Sequence, residues 1–164
     1  MRDVVPQPLT AQAFASFGDV IEVGDPAAAL AINYGNTARH DRLAEIDVAD
    51  GGGVGIISIF RGRPLDPLVL KVFERHPLGS QAFIPLSGRP YLVAVAPGDA
   101  FDPASVEVFY AQADQGVQYR KGVWHHFLLA LDAESDFLVI DRAGPGDNCD
   151  EVELMPRDQI RVCR

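Results

Sequence analysis

The chain has 164 residues, with 23 acidic against 14 basic side chains, a formal net charge of −9 and two cysteines. This length suits one domain over residues 1–164, and the negative charge without a basic patch excludes nucleic acid and anionic membranes as expected partners. Two cysteines outside any redox or metal spacing, no leader-like start and no apolar run near ~20 residues predict a soluble, cytoplasmic protein without a disulfide framework.

One short helix and then a series of strands are predicted in chain order. Thr10 is suited to cap a helix over residues 11–17 that ends at Gly18, and residues 19–22 follow as a first strand. The later strand-like runs are residues 54–60, 68–76, 81–86, 91–95, 106–109, 124–131 and 137–140. Turns rich in Gly, Pro and Asp separate them, which favours an all-β barrel or jelly roll.

The run over residues 68–76 is apolar on one face until its last two members, Glu74 and His76. Side chains two apart in a strand share a face, so both are predicted to continue the side formed by Leu68, Leu70 and Val72. A carboxylate and an imidazole are costly to bury alone, so they should pair with each other, a metal or a ligand. A purely structural ion pair is the alternative.

The spacing Glu74-x-His76-(x)4-Gln81-(x)6-Gly88 resembles the first cupin motif, with Glu for its first His and Gln for its Glu. Residues 122–125 match the G-x-x-H core of the second motif, although Arg120 replaces its Pro. The resemblance implies a cupin-type double-stranded β-helix, a jelly-roll barrel with a short N-terminal helix. It also implies a divalent ion held by Glu74, His76, Gln81 and His125. For Gln81, orienting water or substrate is the alternative to coordination.

Longer strings in residues 74–85, 116–119 and 123–126 resemble the ureidoglycolate lyase family, also known as ureidoglycolate hydrolase. Further agreement lies around Asn33, Arg61 and residues 140–150, while Arg120 stands where that family commonly has His. The resemblance implies cleavage of ureidoglycolate to glyoxylate and urea in allantoin and purine breakdown. That reaction removes the hydroxyl proton and protonates nitrogen as the C–N bond breaks, and no water adds.

The resemblance also implies roles for individual residues. His125, His76 and Glu74 are the expected catalytic groups, and the expected substrate-binding residues are Gln81, Asn33, Arg39, Arg61 and Tyr119. The metal, if used, is expected to be nickel, zinc or manganese, with no organic cofactor. Three further cations, Arg120, Lys121 and Arg142, are available to a substrate carboxylate, although most arginines lie on surfaces.

The run over residues 124–131 is apolar on both alternating faces. A strand with one solvent-exposed face would instead alternate apolar and polar residues. His125 and His126 face opposite ways in a regular strand, and the G-x-x-H spacing selects His125 for the site. The outward set Trp124, His126, Leu128 and Ala130 then needs cover. A second sheet, a helix or a partner subunit would supply it, and we expect a homodimer.

Two other functions use the same residues. His76, His125 and Glu74 form the two-histidine, one-carboxylate set of iron oxygenases, so a cupin isomerase or oxygenase is one alternative. A small-molecule-binding cupin without turnover is the other. Oxygen uptake or iron dependence would indicate the first, and a tight complex without products would indicate the second.

Overall fold

The computed structural model describes residues 1–163. Most of the regular elements in this range are short strands. The strands are β1 Arg2–Val4, β2 Gln7–Pro8, β3 Gly18–Ile21, β4 Leu30–Ile32, β5 Thr37–Arg39, β6 Val54–Gly62, β7 Val69–Leu70, β8 Val72–Arg75, β9 Gln81–Pro85, β10 Tyr91–Ala96, β11 Glu107–Ala111, β12 Gly116–Tyr119, β13 Trp124–His125, β14 Leu129–Ala130, β15 Ser135–Ala143, β16 Asp150–Glu153 and β17 Ile160–Val162. Helix α1 is Ala11–Phe14, and single 3-10 turns lie at Pro26–Ala28, Asn33–Gly35, Asp50–Gly52 and Pro103–Ser105.

Two larger sheets face each other. One has the order β3-β12-β9-β15-β6, and the other follows β16-β8-β13-β10-β11-β2 with β14 also paired to β10. A three-stranded sheet, β1-β17-β7, covers the second, and β4 and β5 form a separate hairpin. The predicted all-β fold with a short N-terminal helix is confirmed, and its two larger sheets pack as a sandwich. Within residues 1–163 the strand ladders do not close into a continuous barrel.

Apolar side chains fill two layers, one on each side of the seven-stranded sheet. Strand β10 shows why, because Tyr91, Val93 and Val95 belong to the layer against the five-stranded sheet, and their neighbours belong to the layer against the three-stranded sheet. A strand buried on both faces is continuously apolar rather than alternating. This central position explains the unbroken apolar sequence of residues 91–96.

The helix begins as predicted but is shorter. The Thr10 hydroxyl oxygen accepts a hydrogen bond from the Ala13 amide at 3.1 Å, which caps the first turn. The helix ends at Phe14 rather than at residue 17. A turn then brings Phe17 beside Phe14, with ring centroids 5.8 Å apart, so that both rings enter the same core.

Two predicted strands are interrupted, and both interruptions change which side chains share a face. The run over residues 68–76 breaks at Lys71, so Leu70 and Phe73 lie in the same core layer although they are three residues apart. The expectation that Leu70 and Glu74 line one side of a single ribbon is therefore wrong. After the break β8 pairs with β13 and β16, which brings Glu74 opposite His125.

The run over residues 124–131 breaks between β13 and β14. The His126 amide donates to the Ala94 carbonyl, and the Phe127 side chain turns out to solvent. Trp124 is buried in one core layer while Leu128 packs against the other. The predicted outward set therefore does not share a face, and Trp124 and Ala130 are covered by their own chain.

Exposed apolar side chains are found instead on β6 and on the hairpin arm, the name used below for residues 30–39. Strand β6 is an edge of the five-stranded sheet, and its exposed members are Val54, Ile56, Ile57, Ile59 and Phe60. On the hairpin arm, Leu30, Ile32 and Tyr34 are exposed. Among the described residues, no helix is long and apolar enough to cross a membrane.

Candidate active site

Three titratable side chains meet between β8 and β13. Glu74 and His125 lie directly opposite in the antiparallel pair, and His76 follows the end of β8. The Glu74 Oε1 atom is 3.5 Å from His125 Nε2 and 3.9 Å from His76 Nε2. One ligand atom from each residue lies within 4.8 Å of the other two. The structure thus brings together the three residues expected to be catalytic.

Backbone carbonyls orient both imidazoles. His76 Nδ1 lies 2.7 Å from the Asn148 carbonyl oxygen, and His125 Nδ1 lies 3.0 Å from the Val123 carbonyl oxygen. A carbonyl only accepts, so each Nδ1 donates a hydrogen bond to it and each ring turns its Nε2 atom toward Glu74. Both Nε2 atoms are buried, and neither has a hydrogen-bond partner within the described part of the chain. When neither Nε2 carries a hydrogen, three atoms with lone pairs face one point, where a proton, a hydrogen-bond donor or a cation would stabilise them.

The electrostatics of Glu74 follow from this arrangement. A hydrogen bond from His125, when its Nε2 carries a hydrogen, lowers the pKa of Glu74 below its ordinary value against the opposing effect of burial, and the positive charge of a protonated His125 or His76 adds to this. The carboxylate is therefore ionised near neutral pH. Two imidazoles and one carboxylate with unshared lone pairs also fit a divalent ion of the borderline type. Gln81 Oε1 is likewise buried and unpartnered nearby in the fold.

Tyr119 forms one wall of the cluster. Its ring stacks on His125 with centroids 4.3 Å apart and planes 17° apart, and it also packs on Phe83. Burial is the main cause that raises the pKa of Tyr119, so the hydroxyl keeps its proton. The predicted substrate-binding residue is thus adjacent to the cluster, and it positions the imidazole.

A small cavity of about 140 Å³ adjoins His76 and contains a residue that sequence reasoning missed. It is lined by His76, Ser80, Gln81, Asp141, Arg142 and Asn148. Asp141 lies on β15 with the same parity as the buried Phe137 and Val139, so it continues the inward apolar face. The signal that singled out Glu74, a carboxylate extending an apolar face, was equally present here.

A second cavity of about 320 Å³ opens beside Glu74. It is lined by apolar side chains together with charged ones: Phe60, Arg61, Gly62, Arg63, Glu74, Phe83, Phe127 and Leu128. A larger cavity, about 740 Å³, lies over β12, and none of the three cluster residues lines it. Its lining includes Lys121 and Ser80. We therefore assign the site by its chemistry and not by cavity size.

Of the residues expected to bind substrate, two lie away from the cluster, and a third borders it but is already paired. Asn33 and Arg39 lie exposed on the hairpin arm, where Arg39 pairs with Asp41 at 2.7 Å. Arg61 borders the cavity beside Glu74, but its guanidinium already donates to both Asp136 oxygens at 2.7 and 2.9 Å.

The other cations are also engaged. Lys121 donates to Asp50 at 2.6 Å, and Arg120 donates to the Ala15 carbonyl at 2.7 Å. The buried Arg142 donates to the backbone carbonyls of Asp50 and Pro145, both at 2.7 Å, and so fixes two loops. These bonds give the three side chains a structural role in the described chain.

Similarity to known proteins extends over the whole chain. A family model described as ureidoglycolate lyase matches residues 1–161. The ureidoglycolate lyase of Pseudomonas syringae pv. tomato is 52% identical over 92% of this chain and 89% of its own length. That of Pseudomonas entomophila is 49% identical over 99% and 97%. An oxalate decarboxylase of Bacillus subtilis is structurally similar with a TM-score of 0.43 and 17% identity, covering 61% of this chain and 24% of that one.

Proposed function

The chain belongs to the ureidoglycolate lyase family, and on that premise we propose that it cleaves ureidoglycolate to glyoxylate and urea in allantoin and purine breakdown. The observation that carries the proposal is the convergence of Glu74, His76 and His125 on one point.

Both cysteines are free, which agrees with a reducing compartment such as the cytoplasm.

The bonds that change determine what the residues must do. His125 accepts the proton of the substrate hydroxyl on Nε2 while the carbonyl of glyoxylate forms. The C–N bonding electrons pass to the ureido nitrogen, and His76 in its imidazolium form protonates that nitrogen to release urea. Glu74 lies between the two rings and stabilises whichever one is protonated. Positioned proton transfer of this kind contributes roughly 10²–10⁴-fold per group.

The same three residues, joined by Gln81, would hold a divalent ion such as nickel, zinc or manganese. Such an ion, when bound, polarises the hydroxyl and carboxylate oxygens of the substrate. Binding an ion and moving protons require the same Nε2 lone pairs, so the two uses of the cluster can be separated by experiment.

The test is to incubate the purified protein with ureidoglycolate, with and without a chelator, and to identify the products. Urea should accumulate in step with glyoxylate. Ammonia as the primary nitrogen product would instead indicate a hydrolase. Activity that a chelator removes and a divalent ion restores would assign the cluster to metal binding, and unchanged activity would assign it to proton transfer. Oxygen uptake would support the oxygenase alternative.

We also propose a homodimer, formed through β6 and not through residues 124–131. Strand β6 pairs with β15 on one side, and its other edge is the border of the sheet. Its apolar side chains are exposed on both faces, with Ile57 and Ile59 on one face and Ile56 on the other. A long apolar edge strand is an association site unless it is covered, and a second copy of the strand covers it symmetrically.

A further inference from the structure

We propose that Asp141 and Gln81 bind the ureido group of the substrate in the small cavity beside His76. The proposal rests on the proposed function, because it assigns one part of ureidoglycolate to one part of that site. It adds Asp141 as a residue that determines specificity.

The orientation of Gln81 is fixed by Asp141. The Gln81 Nε2 atom donates to Asp141 Oδ2 at 3.3 Å. A flipped amide would place its oxygen against the carboxylate, which cannot donate, so Gln81 Oε1 must point the other way. Gln81 Oε1 and Asp141 Oδ1 are both buried, and neither has a hydrogen-bond partner among residues 1–163. Two acceptor oxygens that line one cavity are therefore available to a hydrogen-bond donor.

Unpartnered buried acceptors are unusual and call for a donor. The ureido group has three N–H donors, whereas the glyoxylate part of the substrate offers mainly acceptor oxygens. The cavity of about 140 Å³ accommodates a group of this size, and His76 lines it. A ureido group bound by Asp141 and Gln81 would place its substituted nitrogen beside His76, the group that protonates it. The hydroxyl end would then lie toward His125.

Apart from those of Gln81, the hydrogen bonds of the other polar side chains that line the cavity go to partners other than Asp141. Arg142 lies next in sequence, but it donates to the Asp50 and Pro145 carbonyls. The Asn148 side-chain oxygen, which also lines the cavity, accepts from the Leu78 amide at 2.7 Å. Asp141 Oδ1 is thus available to a donor that enters the cavity.

The experiment uses the two products as separate probes. In Asp141→Asn, one acceptor oxygen becomes a donor of the same shape. The inhibition constant of urea and the KM of ureidoglycolate should each rise roughly tenfold to hundredfold, the value of a hydrogen bond to a charged group. The inhibition constant of glyoxylate should change less than about twofold, because glyoxylate does not enter this cavity. Asp114→Asn, an equal charge change at an exposed turn, is the control and should alter neither constant.

An equal rise for urea and glyoxylate in Asp141→Asn would overturn the proposal, since it indicates a distorted site. An unchanged urea constant would overturn it as well. Asp141→Ser gives the same test if the Asn variant does not fold, because it also removes the carboxylate. A wild-type protein that does not cleave ureidoglycolate would refute the proposed function separately. Direct titration of urea into the wild type and the variants would then still decide the role of Asp141.

Discussion

At the scale of single residues, the neighbours His125 and His126 have different expected roles, catalysis for His125 and core packing for His126. Both are buried, but His125 faces Glu74, whereas His126 packs edge-on against Phe73 with ring centroids 5.6 Å apart. We expect His125→Ala to lower kcat by roughly 10²–10⁴-fold with the fold retained, because it removes the base. His126→Phe should leave kcat within about twofold. Steady-state kinetics with circular dichroism checks both, and the reverse pattern would contradict the proposed site.

The burial of His126 predicts acid lability. Desolvation lowers the pKa of His126 from 6.5 to about 4, so the folded protein keeps it neutral where the unfolded chain takes up a proton. A folded pKa below the unfolded one means that stability is lost as pH falls from 6.5 toward 4. The loss is about 3 kcal/mol by linkage.

His126→Phe should remove most of that decline. Unfolding in denaturant at pH values across this window measures it for both proteins. The lowered pKa of Glu74 adds a smaller acid sensitivity that the variant keeps, because that contribution is lost only below the ordinary carboxylate range. Parallel pH profiles for the two proteins would show that His126 is not the group responsible.

The sequence identifies the cluster residues and not their surroundings. Spacing selects Glu74, His76 and His125, and the structure brings them together. Asp141 was missed, although it extends an apolar strand face just as Glu74 does. Asn33 and Arg39 were placed at the site by resemblance, and in the described chain they lie on the hairpin arm. Which side chains meet there depends on long-range strand pairing, which a local pattern does not contain.

At the scale of elements, the turn before β13 explains why the G-x-x-H pattern begins with glycine. Gly122 has a φ of +80°, which side-chain-bearing residues rarely adopt, and its amide donates to the His76 carbonyl at 2.9 Å. This one turn therefore connects the ends of the segments that carry both imidazoles.

Gly122→Ala should lower the free energy of unfolding by about 1–2 kcal/mol through backbone strain alone, because nothing lies within 4 Å of the added methyl group. It should also reduce kcat, since both imidazoles are held by this turn. Gly24→Ala is the matched control, with equally open surroundings and without a positive φ. Chemical denaturation and kinetics compare the two, and equal effects would argue against a special role for Gly122.

The sequence predicts where strands occur better than it predicts where a strand is interrupted. Residues 54–60, 81–86 and 91–95 are strands close to the predicted bounds, because each is largely apolar and ends at a turn. The breaks at Lys71 and at residues 126–128 have no turn-forming Gly, Pro or Asp residues that would predict them. They are imposed by pairing with different neighbours, since β7 joins β17 while β8 joins β13.

At the scale of the whole molecule, the sequence predicts an all-β fold but not which apolar surface its own chain leaves uncovered. Residues 124–131 and β6 are both rich in apolar side chains on both faces. Apart from the exposed Phe127 and the half-buried Leu128, the first run is buried, whereas the second is a border strand on which Ile57 is 72% exposed. Whether such a run is buried or exposed depends on the position of its strand in the sheet. The local sequence of neither run predicts that position.

The dimer proposal follows from that exposed strand. Ile57 and Ile59 share one face of β6, so placing lysines at both positions puts like charges on both sides of a twofold contact. We expect Ile57→Lys with Ile59→Lys to convert a dimer of 17.8 kDa chains into a monomer in sedimentation experiments. Met155→Lys replaces an apolar side chain of similar exposure outside the strands, and it should stay dimeric. A wild-type protein that sediments as a monomer at high concentration would refute the dimer, and a dimeric double variant would place the contact elsewhere.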